Sequence, residues 1–312
     1  VAGTRAPNRT TIEWPTVVAI ASFWLVFSAT LVFGARLPAL VAIGLLAVLG
    51  CFYLSLQHEV IHGHPTGFRW LNTVLVVVPL TLIEPFSTYR QTHIAHHASD
   101  LTNPLNDPES HYVSPEVWRR AGPFKRSMLH ANRTLAVRMT LGPVRGTLRM
   151  WITEARAFHL SRVVRIRWST HCVGAVLVVL VVRGAGLPLW IYLVGFVFGG
   201  TSLTALRSFL EHSAHESEPR SAVVDSNWFF GLLFLNNNLH YTHHAMPGAA
   251  WHRLPQLTRD MDAGVIVADG AGHYRGYFEI AKRHMFRSFC QPINPLLQPV
   301  EAGTLEAGTL EA

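Results

Sequence analysis

The sequence predicts an all-α, polytopic membrane protein: about four transmembrane helices, paired in two hairpins and closed on the cytoplasmic side by a helical cap that holds a metal site. Three observations predict it. Only 14% of the 312 residues are charged, against roughly 25% in a soluble domain. Four apolar runs approach the length needed to cross a bilayer. Eighteen histidines are clustered beside those runs rather than spread along the chain.

The first run begins at Trp14-Pro15 and continues without a charge to about Gly34. It is long for the apolar region of a signal peptide, and no small-residue cleavage site precedes Arg36, so a retained helix is expected. Arg36-Leu37-Pro38 reads as a tight turn, and a second span follows from about Pro38 to Leu56. Residues 70–88 are apolar but interrupted by Pro79, Glu84 and Pro85, as a short, broken or re-entrant helix would be. A basic region follows. Arg119 to Arg167 holds twelve Lys or Arg and one acid, Glu154. Stretches such as RTLAVRMTLGPVRGTLRMW mix Arg with apolar residues, as helices lying on a membrane surface do. The third span is expected over about 168–183 and the fourth over about 187–206, joined by the loop RGAG. Residues 227–239 are apolar but too short to span, and read as a helix near the interface. Residues 1–300 are read as one integral-membrane domain. EAGTLEAGTLEA repeats every five residues with no packing logic, so 301–312 is read as an appended tail outside the fold.

Two hairpins place the N-terminus, 57–167 and everything after 207 on one side. Only Arg36 and Arg183 lie near the opposite face, leaving 24 of the 26 Lys and Arg on the first side. The positive-inside rule assigns that side to the cytoplasm. The net charge of +7 therefore points to anionic lipid or an acidic protein partner and away from nucleic acid. Cys51, Cys172 and Cys290 are scattered, and fit neither a disulfide framework nor a cysteine-based zinc site.

The histidines carry the chemistry. QHEVIHGHP contains His58 and His62, HIAHH contains His93, His96 and His97, and HYTHH contains His240, His243 and His244. Randomly placed, eighteen histidines would give roughly 0.06 HxxHH motifs in such a chain, so two are unlikely to arise by accident. On a helix, positions i, i+3 and i+4 share a face, so each cluster can aim at one place. His212, in LRSFLEHSAHE after the fourth span, is a ninth candidate, with His215 as its alternative one turn on. His64 falls on another face and is expected beside the site or outside it. The plainer reading of a lone histidine at such a position is a hydrogen-bonded interfacial residue; the ligand reading is preferred for His212 and the plainer one for His215. Eight or nine imidazoles exceed the three protein ligands of a catalytic zinc and suit two metals with four or five each. Imidazole alone does not choose among Fe, Zn, Cu and Ni. Glu59, Glu211, Asp107 and Glu109 are acids that can orient ligand N–H groups. A solvated or capping carboxylate is the plainer reading of Asp107 and Glu109. One of Asn236, Asn237 and Asn238, with Asn236 chosen, can hold a metal-bound water, against the plainer reading of a polar turn.

HxxxH, HxxHH and HxxHH, in this order among paired spans, resemble the three histidine boxes of the membrane fatty acid desaturase and hydroxylase superfamily. HHASDLTNPLNDPESHY, RSFLEH and HYTHHAMPGAAWHRLPQL extend the resemblance to bacterial desaturase-like members over roughly residues 50–260. The resemblance implies a non-haem di-iron centre of two Fe ions, with O2 as co-substrate and two electrons consumed. The ligands would be His58, His62, His93, His96, His97, His212, His240, His243 and His244. No cytochrome b5 segment is evident, so a separate electron donor is expected, such as a ferredoxin with its reductase. The basic face would meet the lipid bilayer or dock that donor. The implied reaction is desaturation of an unactivated C–C bond in a lipid-like or small amphipathic substrate, with hydroxylation or ketolation as alternatives on the same ligands.

Two other classes compete. HExxH is also the signature of a zinc protease, with His58 and His62 on the metal and Glu59 as general base. That reading leaves both HxxHH clusters without a role. A metal transporter would place ionisable groups inside the spans, whereas these histidines sit at span ends.

Overall fold

The computed structural model describes residues 12–216, 220–261 and 272–297; the tail 301–312 lies outside them. Four helices are long and apolar enough to cross a membrane. Helix α1 is Trp14–Phe33, opened by Pro15 in its first turn, and α2 is Ala39–Ile61, started by Pro38. Glu13, just before α1, donates its backbone N–H to Pro65 O, just after α2, so the two helices form an antiparallel hairpin. The second hairpin pairs α8, Arg162–Gly184, with α9, Leu189–Arg207, through a turn in which Gly186 takes φ +80. Among the described residues the fold is helical, with one two-residue parallel pair, β1 Val223–Val224 and β2 His273–Tyr274.

Two span boundaries differ from expectation. Helix α2 runs past Leu56 to Ile61 and so carries His58 into the site, and α8 starts at Arg162 rather than near 168. In both cases polar residues extend an apolar helix without a helix breaker. Capping explains the second start: Ser161 Oγ accepts the Val164 N–H, satisfying an otherwise orphaned donor.

The hairpins meet through small residues. On α9, a Cβ at Gly195 would lie 2.8 Å from Leu46 Cβ, one at Gly199 would lie 2.6 Å from Ala47 Cβ, and one at Gly200 would lie 2.8 Å from Gly50 Cα. Only glycine allows this approach, as in close-packed membrane helices. The same stretch, Leu193–Gly199, winds as a π-helix. Phe23, Phe27, Tyr53, Tyr192 and Phe196 fill the space beside it as a cluster of stacked and edge-on rings.

The interrupted apolar segment after α2 is helical only over α3, Arg69–Val76. Residues 77–85 are irregular, which in a membrane protein requires every carbonyl to find a protein partner. Tyr53 Oη donates to Val78 O at 2.5 Å, Tyr192 Oη to Leu80 O at 2.6 Å, and Trp151 Nε1 to Ile83 O at 2.8 Å. Proline at 85 then opens α4, Phe86–His97. The basic region folds as α5, Pro115–Arg119, α6, Pro123–Ala131, and α7, Leu135–Leu160. Glu154 locks α7 to α8 through Arg167 at 2.6 Å and Trp168 Nε1 at 2.7 Å.

The apolar stretch 227–239 is helical only over α10, Trp228–Leu233. Leu235 and Asn236 take φ +47 and +55, left-handed values that Asn tolerates well and that end the helix. The chain then enters the short α11, His240–Ala245. Strand β1 fixes this turn, with Val224 N donating to Asn238 O at 2.9 Å and Tyr241 N donating to Ala222 O at 3.0 Å.

Candidate metal centre

Nine histidines converge where α2 and α9 end and where α4 and α11 cross them. They form two groups. His58, His62, His93, His97 and His243 make one, and His96, His212, His240 and His244 make the other. Within each group the candidate ligand atoms lie within 4.8 Å of one another. The groups adjoin, since the rings of His97 and His244 stack with centroids 4.2 Å apart.

The division corrects the expectation that each cluster aims at one place. The i, i+4 pairs stay together: 58 with 62, 93 with 97, and 240 with 244. The remaining member of each HxxHH crosses over, so His96 of α4 joins the α11 pair, and His243 of α11 joins the α4 pair. A helix face is about a turn wide, and the i+3 position leans to its other edge. Two facing HxxHH helices can therefore each serve both groups.

The ring nitrogens are sorted by their outer partners. His96 Nδ1 meets Asp107 Oδ1 at 2.8 Å, His93 Nδ1 meets Glu109 Oε1 at 3.1 Å, His240 Nδ1 meets Asn237 Oδ1 at 3.1 Å, and His212 Nδ1 meets Ser221 Oγ at 3.1 Å. Each such acceptor holds the proton on Nδ1 and leaves the Nε2 lone pair facing inward. The Nε2 atoms then crowd together: His62 and His93 at 3.0 Å, His97 and His243 at 3.1 Å, His96 and His212 at 3.1 Å, and His240 and His212 at 3.0 Å. His58 Nε2 is buried with no hydrogen-bond partner among the described residues. Lone pairs turned on one another repel unless a cation lies between them, so this donor set fits metal ions.

Electrostatics agree. Burial, followed by the neighbouring rings, holds His62, His212, His240, His243 and His244 well below the usual imidazole value. The same causes bring His97 down to about 3. Neutral imidazole is the form that binds metal.

Asp107 is buried rather than solvated, and Glu109 is half-buried against His93. They sit in a turn in which Asp107 also accepts the backbone N–H of Thr102 and of Glu109, both at 2.9 Å. NPLNDPES is thus a scaffold that presents two carboxylates to α4. Its Asn-Asp-Pro composition marks a turn, and that was the signal available. Glu211 lies 3.5 Å from His240 Nδ1 and pairs with Arg207 at 2.9 Å. Asn236 does not reach the centre. Its left-handed backbone turns the side chain to Trp251 O at 3.0 Å, and Asn237 takes the place beside His240. Glu59 also faces away, accepting the Trp251 backbone N–H at 3.0 Å. His64 bonds Glu13 at 2.8 Å and lies 3.9 Å from Glu59. His215 is in neither histidine group. Ser221 was not singled out, and nothing in its sequence context marks it.

Four apolar helices ending beneath two histidine groups define an integral membrane protein with a candidate two-metal site. The fatty acid desaturase family model matches residues 32–278, and the chain belongs to that family. It is accordingly an oxidoreductase of the membrane desaturase and hydroxylase kind, from a family that uses iron. No curated protein matches the chain.

Proposed function

We propose that the protein is an O2-dependent di-iron desaturase of an unactivated C–C bond, with one iron in each histidine group. The observation that carries this reading is the division of nine imidazoles into five and four, each group bounded by carboxylate or amide acceptors. A histidine-held iron pair supplies O2 reduction powerful enough to remove hydrogen from an alkyl carbon. The overall balance is R–CH2–CH2–R′ + O2 + 2e⁻ + 2H⁺ → R–CH=CH–R′ + 2H2O. Hydroxylation by the same ligands would instead retain one oxygen atom in the product.

The chain's own part is positioning. Asp107, Glu109, Asn237 and Ser221 keep the protons of His96, His93, His240 and His212 on the outer nitrogen, so each inner nitrogen stays free. Burial of His58, His93, His96, His240 and His243 keeps bulk water from the inner nitrogens, which strengthens their interaction with charge. The electrons would come from a separate acidic donor such as a ferredoxin with its reductase, drawn to the basic side. The charge asymmetry supports a cytoplasmic centre, and the resemblance to bacterial desaturase-like members supports a bacterial inner membrane, with residues 1–300 as one domain.

Metal analysis of protein purified without oxygen tests the reading. About two irons per chain are expected from two imidazole sites. A single zinc, with peptidase activity lost in Glu59→Gln, would overturn it. Mass spectrometry of lipids and metabolites from expressing cells should show a product lighter by two hydrogens, absent in His96→Ala; a product heavier by one oxygen would move the assignment to hydroxylase.

A further inference from the structure

A cavity of about 570 Å³ opens against the histidine centre. His212 lines it, as do Asp107 and Glu109, which hold His96 and His93. A more apolar groove of about 990 Å³ runs between α1, α4 and α8, past Trp24, Phe27 and Val181, but none of the nine histidines lines it. The space beside the reaction centre is therefore the charged one.

The charges in that cavity are not all paired. Asp107 is engaged by His96, Glu109 by His93, Glu154 by Arg167, and Glu211 by Arg207. Three cations on one face of α7 have no such partner: Arg138, Arg145 and Arg149 line the cavity and form no ion pair among the described residues. Gly142 and Gly146 lie between them on the same face and line the cavity too, so no side chain fills the space in front of the guanidinium groups. Arg138 is 3% exposed. Its Nε donates to Asn132 O at 3.3 Å, while Nη1 and Nη2 are buried with no hydrogen-bond partner among the described residues. Thr88 Oγ1, on the α4 wall, is also buried without one. Burial and the neighbouring Arg133 and Arg145 lower Arg138 to about 9, the mark of a cation that lacks an anion. The remaining lining acid, Glu84, does not supply one, because burial pushes it up to about 7.

A buried cation without a counter-charge is costly, and a planar guanidinium is matched by a carboxylate or phosphate through paired N–H donors. We propose that this cavity is the substrate site and that the substrate enters it with a free anionic group, a carboxylate or a phosphate, held by Arg138 with Arg145 and Arg149 near the rim. A neutral hydrocarbon chain would leave the Arg138 donors unmatched. The assignment rests on the histidine groups being the reaction centre, but the site itself is testable without turnover.

Calorimetry on the detergent-solubilised full chain, titrated with hexanoate, hexyl phosphate and uncharged hexanamide, separates the cases. At least one anion should bind about tenfold or more tighter than hexanamide, as expected for charge-assisted hydrogen bonds, and the tighter anion identifies the source. Arg138→Gln should reduce that preference to under about threefold, and Arg138→Lys should restore part of it. Should Arg138→Gln fail to fold, Arg145→Gln, at an exposed position, should still weaken anion binding. Equal binding of all three probes to the wild-type chain would overturn the proposal. Iron counted in the same sample keeps the readings apart: anion preference without iron sinks only the di-iron reading, and about two irons without anion preference sinks only this one.

Discussion

Asp107 Oδ1 lies 2.8 Å from His96 Nδ1, and both side chains are about 1% exposed. This contact supports the four-membered group, in which His96 is the only α4 residue beside His212, His240 and His244. Loss of an outer partner of this kind typically costs about 10–100-fold in metal affinity. Asp107→Ala should therefore release one iron per chain at a chelator concentration that leaves the wild type loaded, and Asp107→Asn, which can still accept the Nδ1 proton, should fall between. Iron retained equally in all three would remove Asp107 from the site.

His212 and His215 make a paired test. His212 lies in the four-membered group and His215 in neither. His212→Ala should lose about half the bound iron, since three imidazoles remain where four stood. His215→Ala should match the wild type in iron content and in activity.

Glu59 separates this protein from a zinc protease at a single atom. Its carboxylate accepts the Trp251 backbone N–H, and a Gln side-chain oxygen can do the same. Glu59→Gln should keep its iron and most of its activity. Glu59→Ala orphans the buried N–H and should cost about 1–3 kcal/mol of stability, read as a lower unfolding midpoint with unchanged iron content.

The interhairpin contact should be intolerant of a single methyl group. Gly200→Ala would set its Cβ 2.8 Å from Gly50 Cα, whereas a Cβ at Gly44 on the same helix as Gly50 meets nothing within 4 Å. Overpacking of this kind costs typically about 1–3 kcal/mol. Thermal unfolding in detergent should show a clear drop for Gly200→Ala and none for Gly44→Ala.

Glu84 should make stability depend on pH. Burial, with Glu109 and Glu154 nearby, pushes its carboxyl up to about 7 from an ordinary 4.5. Between those values the folded chain keeps a proton that the unfolded chain has released, so stability falls as pH rises. Glu84→Gln removes this contribution, and its unfolding midpoint should decline less than that of the wild type between about pH 5 and pH 7. An equal decline would place the titrating group elsewhere.

The spans were legible because an apolar run of bilayer length has few alternatives in water. The histidines were legible because HxxHH constrains a helix face. What lay beyond reach was the assignment of partners across the chain. That His96 and His243 exchange groups depends on how α4 and α11 face each other, which no local pattern encodes. Asp107 and Glu109 looked like turn residues, and they are; only the path of the turn brings them onto His96 and His93. Asn236 and Asn237 are adjacent and chemically identical, and left-handed backbone at 235 and 236 decides which of them meets His240. The basic stretch on α7 read as a lipid-facing surface, whereas Arg138 is buried and lines a cavity, because Gly142 and Gly146 open space on that face.

The exchange of His96 and His243 also bears on how the chain is completed. Each group draws on both halves of the sequence: the first joins residues 58–97 to His243, and the second joins His96 to residues 212–244. Neither histidine group is complete until the ribosome has passed residue 244 and the second hairpin has docked on the first. Ions that bind only the finished arrangement stabilise it by mass action. On the proposed di-iron reading, metal uptake would be the clasp that fastens the two hairpins, and iron starvation during synthesis should leave molecules whose halves are inserted but not joined.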